Sequence, residues 1–208
     1  MANNDRVLLV EGQNDKHVIR HFRNRHQAMP EFCIQDKGGI EELLEDIGLE
    51  ILAPNHKAVG ILVDANDDLN ARWDAVATRL REENIEMPSS PDPTGTIIDS
   101  NPRVGIWLMP DNESPGELEN FVAEMIPQND PIWPRSTNYI DSIPEKDRKF
   151  TAKKRLRAQL HAWLATREDP RQMGLAISTQ DLCVDGTLST AFAKWLRQLF
   201  EQAPVASK

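Results

Sequence analysis

Two short apolar runs of this chain each end in oxygen-bearing side chains. Val7-Leu8-Leu9-Val10 leads into Glu11-Gly12-Gln13-Asn14-Asp15, and Ala58-Val59-Gly60-Ile61-Leu62-Val63 leads into Asp64-Ala65-Asn66-Asp67-Asp68. On an extended chain, alternate residues such as Asp64, Asn66 and Asp68 point the same way. Carboxylates brought together from two strand ends repel one another unless protons or a cation neutralise them. A hard divalent ion, Mg²⁺ or Mn²⁺, takes such oxygen ligands and keeps waters that phosphate oxygens can replace. Two such ions about 4 Å apart stabilise both the attacking and the leaving oxygen of phosphoester cleavage. Each cluster alone has a plainer reading. Asp68 suits the N-cap of a following helix, and Glu11-Gly12 suits a strand-to-helix turn.

The elements that must position these residues follow from the hydrophobic pattern. Strand-like runs alternate with helical periodicity through the first half, which predicts βαβ units and a mostly parallel sheet. Its functional groups then belong at the C-terminal strand ends. Helices are expected over 14–25 (Val18, Ile19, Phe22), from Ile40 to a stop near Gly48 or Pro54, and over 70–83 (Trp73, Val76, Ala77, Leu80). Phe32-Cys33-Ile34 and residues 104–109 read as further strands, and Thr96-Ile97-Ile98 as at most a short edge strand. Ser114-Pro115-Gly116-Glu117 opens a helix, with the proline in its first turn. Residues 127–149 are rich in turn formers and read as a long connection. Helices over 151–166 and 189–202 close the chain, and Gly174-Leu175-Ala176-Ile177 is open between turn and strand. The expected architecture is a three-layer α/β/α fold with a mostly parallel sheet of about four strands. It comprises an α/β core over 1–126 and, over 127–208, a connection with C-terminal helices packed on that core in one compact domain.

A chain of 208 residues can bury a substantial core. It has no run of about 18 apolar residues to span a membrane and no secretory leader pattern at its start. Its two cysteines, Cys33 and Cys183, lack metal-site or framework spacing and read as buried thiols in a cytoplasmic protein. The net charge of −9 argues against a broad basic surface for nucleic acid. Charge is nevertheless segregated: Arg148, Lys149, Lys153, Lys154, Arg155 and Arg157 form one dense basic run, either a solvated helix face or a phosphate path.

Leu9-Val10-Glu11-Gly12-x-x-Asp15 and Leu62-Val63-Asp64-Ala65-Asn66-Asp67-Asp68 resemble the two acidic motifs of the Toprim domain. The resemblance covers roughly residues 5–125. It is nearest to stand-alone bacterial Toprim-related proteins of unknown function, some found beside a partner ATPase, and to the overcoming-lysogenization-defect nucleases. It implies metal-binding or acid/base roles for Glu11, Asp64 and Asp68, a second acidic position at Asp15, and an additional acid at Glu119. Asn66 departs from the pattern, standing where the family has its middle aspartate. An amide oxygen can ligate Mg²⁺ but carries no charge, so the site is either weakened, shifted toward Asp67 or Asp68, or silent.

The function expected is Mg²⁺- or Mn²⁺-dependent phosphodiester cleavage, most simply by a nuclease. Glu11, Asp15, Asp64, Asn66, Asp68 and Glu119 would hold metal, and Lys16, Arg20, Lys153 and Lys154 would guide the nucleic-acid backbone. The alternatives are a silent interaction module working with a partner ATPase, and a small-molecule phosphohydrolase. Other features carry less. Gly38-Gly39 beside Lys37 lacks any nucleotide-loop pattern and reads as a turn. His17 and His21 have chelate spacing without the glutamate of a zinc-protease helix, and read as part of a solvent-facing basic helix. The oligomeric state is open.

Overall fold

The computed structural model describes residues 5–201. Among them a five-stranded sheet has the order β2-β1-β3-β5-β4, formed by β1 (Arg6–Val10), β2 (Cys33–Asp36), β3 (Ala58–Asp64), β4 (Thr96–Ile98) and β5 (Arg103–Met109). β1, β2, β3 and β5 run parallel, and β4 pairs antiparallel on β5. The fifth strand exceeds the four expected. It is only three residues long, too short for any alternation to show, and its ladder to β5 (Thr96 opposite Ile106, Ile98 opposite Val104) holds it at the edge.

Among the described residues eight α-helices accompany the sheet: α1 (Gln13–Arg25), α2 (Ile40–Leu52), α3 (Leu69–Glu82), α4 (Leu118–Ala123), α5 (Trp133–Ser142), α6 (Arg155–Leu164), α7 (Met173–Ser178) and α8 (Thr187–Phe200). None is long and apolar enough to cross a membrane. The strand side chains divide between two hydrophobic clusters by alternation. Leu8, Val10, Leu62, Trp107 and Met109 join α1, α4, α6, α7 and α8, while Val7, Leu9, Ile61, Val63 and Leu108 join α2 and α3. Successive side chains of a strand face opposite ways, so apolar packing covers both faces of the central strands, and these strands therefore read as unbroken apolar runs.

The C-terminal helices belong to the same core as the first strands. Gly60 and Gly105 are register partners in β3 and β5, and their missing side chains let α8 come down onto the sheet. A Cβ at Gly105 would lie 2.6 Å from Leu199, and one at Gly60 2.7 Å from Leu8 and 2.9 Å from Leu199.

Several expectations along the chain are narrowed or corrected. Of the two stops open for α2, the one near Pro54 holds: the helix runs through Gly48 to Leu52, since Ile47 and Ile51 bury on one face and outweigh a single glycine. Pro115 precedes α4, whose N-cap is Glu117. The presumed long connection contains α5, begun where Asp130 Oδ1 accepts the Ile132 and Trp133 N–H groups, both at 2.8 Å. Only Ser136 and Ile140 of that helix are buried, so no apolar stripe announced it. Gly174 to Ile177 lie within α7, which packs against α1. Cys33 is half-buried and Cys183 exposed, because the latter falls in the loop after α7. His17 and His21 meet α7 rather than open solvent, with His21 Nδ1 2.5 Å from Ser178 Oγ and the two Nε2 atoms 3.1 Å apart.

Leu199 is fully buried, and three of its atoms would lie 2.6, 2.8 and 3.1 Å from a Cβ at Gly105. Gly105→Ala is therefore expected to lower the denaturation free energy by about 1–3 kcal/mol, the usual cost of overpacking. Equilibrium urea unfolding measures this, and an unchanged midpoint would mean that α8 does not rest on the sheet this closely.

Candidate functional site

The strand order reverses direction between β1 and β3, because β1 pairs with β2 on one side and β3 on the other. Open α/β sheets bind ligands at such a switch point, beyond the carboxyl ends of the strands. Glu11 follows β1 directly and Asp64 ends β3, so these two acids flank it. They are joined physically: the Asp64 N–H donates to Glu11 Oε1 at 2.8 Å.

Asp15 arrives from the first turn of α1, where its Oδ2 accepts the Gly12 N–H at 3.2 Å and closes the turn after β1. A carboxylate is favoured at a helix N-terminus. Asp64 Oδ1 in turn accepts the Leu118 N–H at 2.8 Å, which sets the start of α4 against the end of β3. That helix brings Glu117 and Glu119, both buried. Arg72 of α3 donates to the Asp64 carbonyl oxygen at 3.0 Å. Five carboxylates from three chain segments thus meet around the switch point.

Burial and mutual repulsion leave a clear electrostatic mark. Desolvation, followed by the charge of Glu11, pushes Asp15 from 3.8 up to about 7. Desolvation, followed by the charges of Asp15 and Glu11, pushes Asp64 from 3.8 up to about 8. Glu11 is also raised, chiefly by burial, against the lowering effect of the Asp64 N–H and Arg72. Glu119 adds to the repulsion felt by Asp15 and Asp64, and its Oε2 is buried without a hydrogen-bond partner.

The second acidic motif divides at Asn66. This residue adopts φ 56°, a left-handed conformation that asparagine tolerates, so the expected extended alternation stops there. Its N–H bonds the Gly116 carbonyl at 2.7 Å, which ties the loop after β3 to the loop before α4. Asp68 caps α3, accepting the Ala71 N–H at 2.9 Å, whereas the charges that chiefly raise Asp64 are those of Asp15, Glu11 and Glu119. Asp67 pairs with Lys153 at 2.7 Å. The acids brought together are therefore Glu11, Asp15, Asp64, Glu117 and Glu119, with Asn66 on the cavity wall beside them.

The basic residues expected to guide nucleic acid are placed differently. Lys154 donates to both oxygens of Glu117, at 2.8 and 2.7 Å, and Arg157 Nε donates to Glu119 Oε1. Arg155 binds Asp141 and Arg148 the Ile143 carbonyl, so five of the six charges in the run have partners within the protein. Lys16 pairs with Asp36 at 3.3 Å, and Arg20 is exposed on α1. Lys37 is held by Asp46 and Glu50, which leaves Gly38-Gly39 as a turn. Sequence reasoning missed Glu117 and Arg72, and it placed Arg157 in the basic run without its partner Glu119. For Glu117 a signal existed in its place just past a Pro-Gly turn after a strand; nothing local marked Arg72.

Among the described residues no group of three or more His, Cys, Asp or Glu side chains forms a ready metal cage. Glu11, Asp15 and Asp64 each spend an oxygen on a backbone N–H, and Glu117 and Glu119 are turned to the bases. The donor set nevertheless suits a hard cation: oxygen ligands alone, short of counter-charge, with one buried acceptor unpaired.

Linkage turns this crowding into a pH dependence. The unfolded chain releases the Asp15 and Asp64 protons near their ordinary value of 3.8, whereas the folded protein keeps them to about 7 and about 8. The folded state binds more protons throughout that window, so metal-free stability is greatest at its acid end and falls as pH rises. Asp64→Asn removes the charge and is expected to stabilise chelated protein at pH 8 by roughly 1–2 kcal/mol, with little difference at pH 4. Thermal unfolding at the two pH values tests this, and an equal difference at both would remove the proposed charge strain.

A family model described as "Protein of unknown function (DUF3226)" matches residues 5–201, and the chain belongs to that family. No curated protein and no solved structure matches it.

Proposed function

We propose that this member of the DUF3226 family is a Toprim-like protein that uses Mg²⁺ or Mn²⁺ to cleave phosphodiesters, as a nuclease. The observation that carries the reading is the junction of Glu11 and Asp64 at the β1/β3 switch point, with Asp15 crowded against both. Apolar clusters on both sides of the central strands support a three-layer α/β/α arrangement. The parallel order and the two acidic strand ends support the Toprim-like likeness.

When bound, the cation would neutralise developing charge on phosphate oxygens and acidify a water. Glu11, Asp15, Asp64 and Glu119 would hold it, with Asn66 bordering the site and Asp68 capping the adjacent helix. Glu11 also orients the end of β3 through the Asp64 N–H, and Asp64 orients α4 through the Leu118 N–H. Asp15 would either complete the metal position or, left unligated, serve as general base, since burial and the charge of Glu11 raise its proton affinity in the ion-free protein. Free thiols at Cys33 and Cys183 suit a reducing cytoplasm.

A second reading has its own support. Lys153, Lys154 and Arg157 already pair with the acids at the mouth, and Asn66 lacks the charge of an aspartate. Those features favour a silent scaffold that serves a partner ATPase. Small phosphate esters would use the same chemistry as a nuclease and are separated from it by substrate alone.

Wild-type protein is expected to nick plasmid DNA with Mn²⁺. Glu11→Gln and Asp64→Asn, which keep the backbone hydrogen bonds, should each lose the roughly hundredfold that removal of one electrostatic contact to a transition state costs. Millimolar Mn²⁺ should also raise wild-type stability, by about 2.7 kcal/mol at a hundredfold excess over its dissociation constant. Stabilisation without turnover on plasmid, oligonucleotide or nucleotide would favour the scaffold. Variants as active as wild type would exclude this site.

A further inference from the structure

Lys153, Lys154 and Arg157 meet the acidic site through one face of the chain at the start of α6. Together with Asp67, Glu117 and Glu119 they border a cavity of about 220 Å³ next to the β3 end, Lys154 through its pair with Glu117. In two of these ion pairs the halves differ in their access to water, whereas in the third Asp67 is itself 79% exposed and both halves are solvated. The Glu117 and Glu119 side chains are only 10% and 2% exposed, while those of Lys154 and Arg157 are 37% and 42% exposed. A buried carboxylate must keep some counter-charge, whereas an exposed lysine is solvated when it leaves. The cations are the half free to exchange. Glu119 Oε2 has no partner even with Arg157 in place, so its carboxylate retains an acceptor for another cation.

We propose that Lys154 and Arg157 are exchangeable counter-ions: they neutralise Glu117 and Glu119 in the ion-free protein and pass to the phosphate oxygens of the ligand when a divalent cation neutralises the carboxylate cluster to which these two acids belong. The inference rests on the metal-dependent reading and adds an order to it. Cation and phosphate diester bind cooperatively, because each ligand frees the groups that the other needs. Ion pairs that merely fixed α6 would produce no such coupling. α6 is in any case anchored separately, since Arg155 and Gln159 both bond Asp141 of α5. Loss of the Lys154 pair therefore leaves the helix attached.

The 208-residue chain and a Lys154→Gln variant of it test this. Mn²⁺ binding is followed by the electron paramagnetic resonance of the free ion, and a ten-nucleotide oligothymidylate by fluorescence anisotropy, with the oligonucleotide checked intact on a gel. In wild type, Mn²⁺ should tighten oligonucleotide binding about fivefold or more, and saturating oligonucleotide should tighten Mn²⁺ binding by the same factor, as linkage requires. Without oligonucleotide the variant should bind Mn²⁺ about two- to fivefold more tightly than wild type, since a weak competing pair is gone, and its coupling should shrink toward unity. Equal or weaker Mn²⁺ binding by the variant, or uncoupled ligands in wild type, overturns the exchange while leaving the metal site standing. Absence of Mn²⁺ binding by wild type removes the metal site and the exchange together.

Discussion

Glu11, Asp15 and Asp64 are held together in a setting that burial has stripped of most of its water, and their repulsion is what the surrounding chain has to manage. Part of the answer is local. Each carboxylate receives a backbone N–H, from Asp64, Gly12 and Leu118 respectively, and each bond joins an element end to its neighbour. The rest comes from distant sequence, with Arg72 at the start of α3 and three bases at the start of α6. The same hydrogen bonds that relieve the acids therefore assemble β1, β3, α1 and α4 into one end of the fold. Removing one acid's charge would relieve its neighbours, whereas removing its oxygen would detach a loop.

This interplay explains how much of the molecule was legible in the chain. Strands β1, β3 and β5 are buried on both sides and show as continuous apolar runs, so their existence and parallel pairing followed from pattern alone. Glu11 and Asp64 were readable because they terminate those runs. The mouth of the site was not. α5 buries little apolar surface, and the acid–base pairs link residues 37, 38 and 86 positions apart, a separation that no local motif encodes. The basic run was visible as charge, but its destination depends on the α5–α6 hairpin, which Asp141 fastens by accepting from Arg155 and Gln159.

Asn66 shows where a motif's spacing can mislead. Read as extended chain, Asp64, Asn66 and Asp68 would project together. A left-handed residue in the middle breaks the period, sends Asp68 to the cap of α3, and leaves the Asn66 N–H facing Gly116. The conformation suits asparagine better than most residues, since its short side chain bonds nearby backbone, and Asn66 Nδ2 lies 3.4 Å from the Asp64 carbonyl. The lost charge at this position is accompanied by a different one. Glu117 arrives through the bridged loop, so the bridge that removes Asp68 from the cluster also brings a buried acid to it.

A division of the chain into a catalytic first half and an accessory second half does not fit this electrostatic arrangement. The first 126 residues supply the carboxylates, yet two of them, Glu117 and Glu119, are buried against bases that lie beyond residue 150. Buried carboxylates without counter-charge would raise one another's proton affinity further or draw water into the core. α8 adds a mechanical counterpart by resting on Gly60 of β3, the strand that ends in Asp64, and on Gly105 of its neighbour β5. The acidic end of the sheet is consequently a property of the whole described chain, with its charge supplied from one side and its compensation from the other.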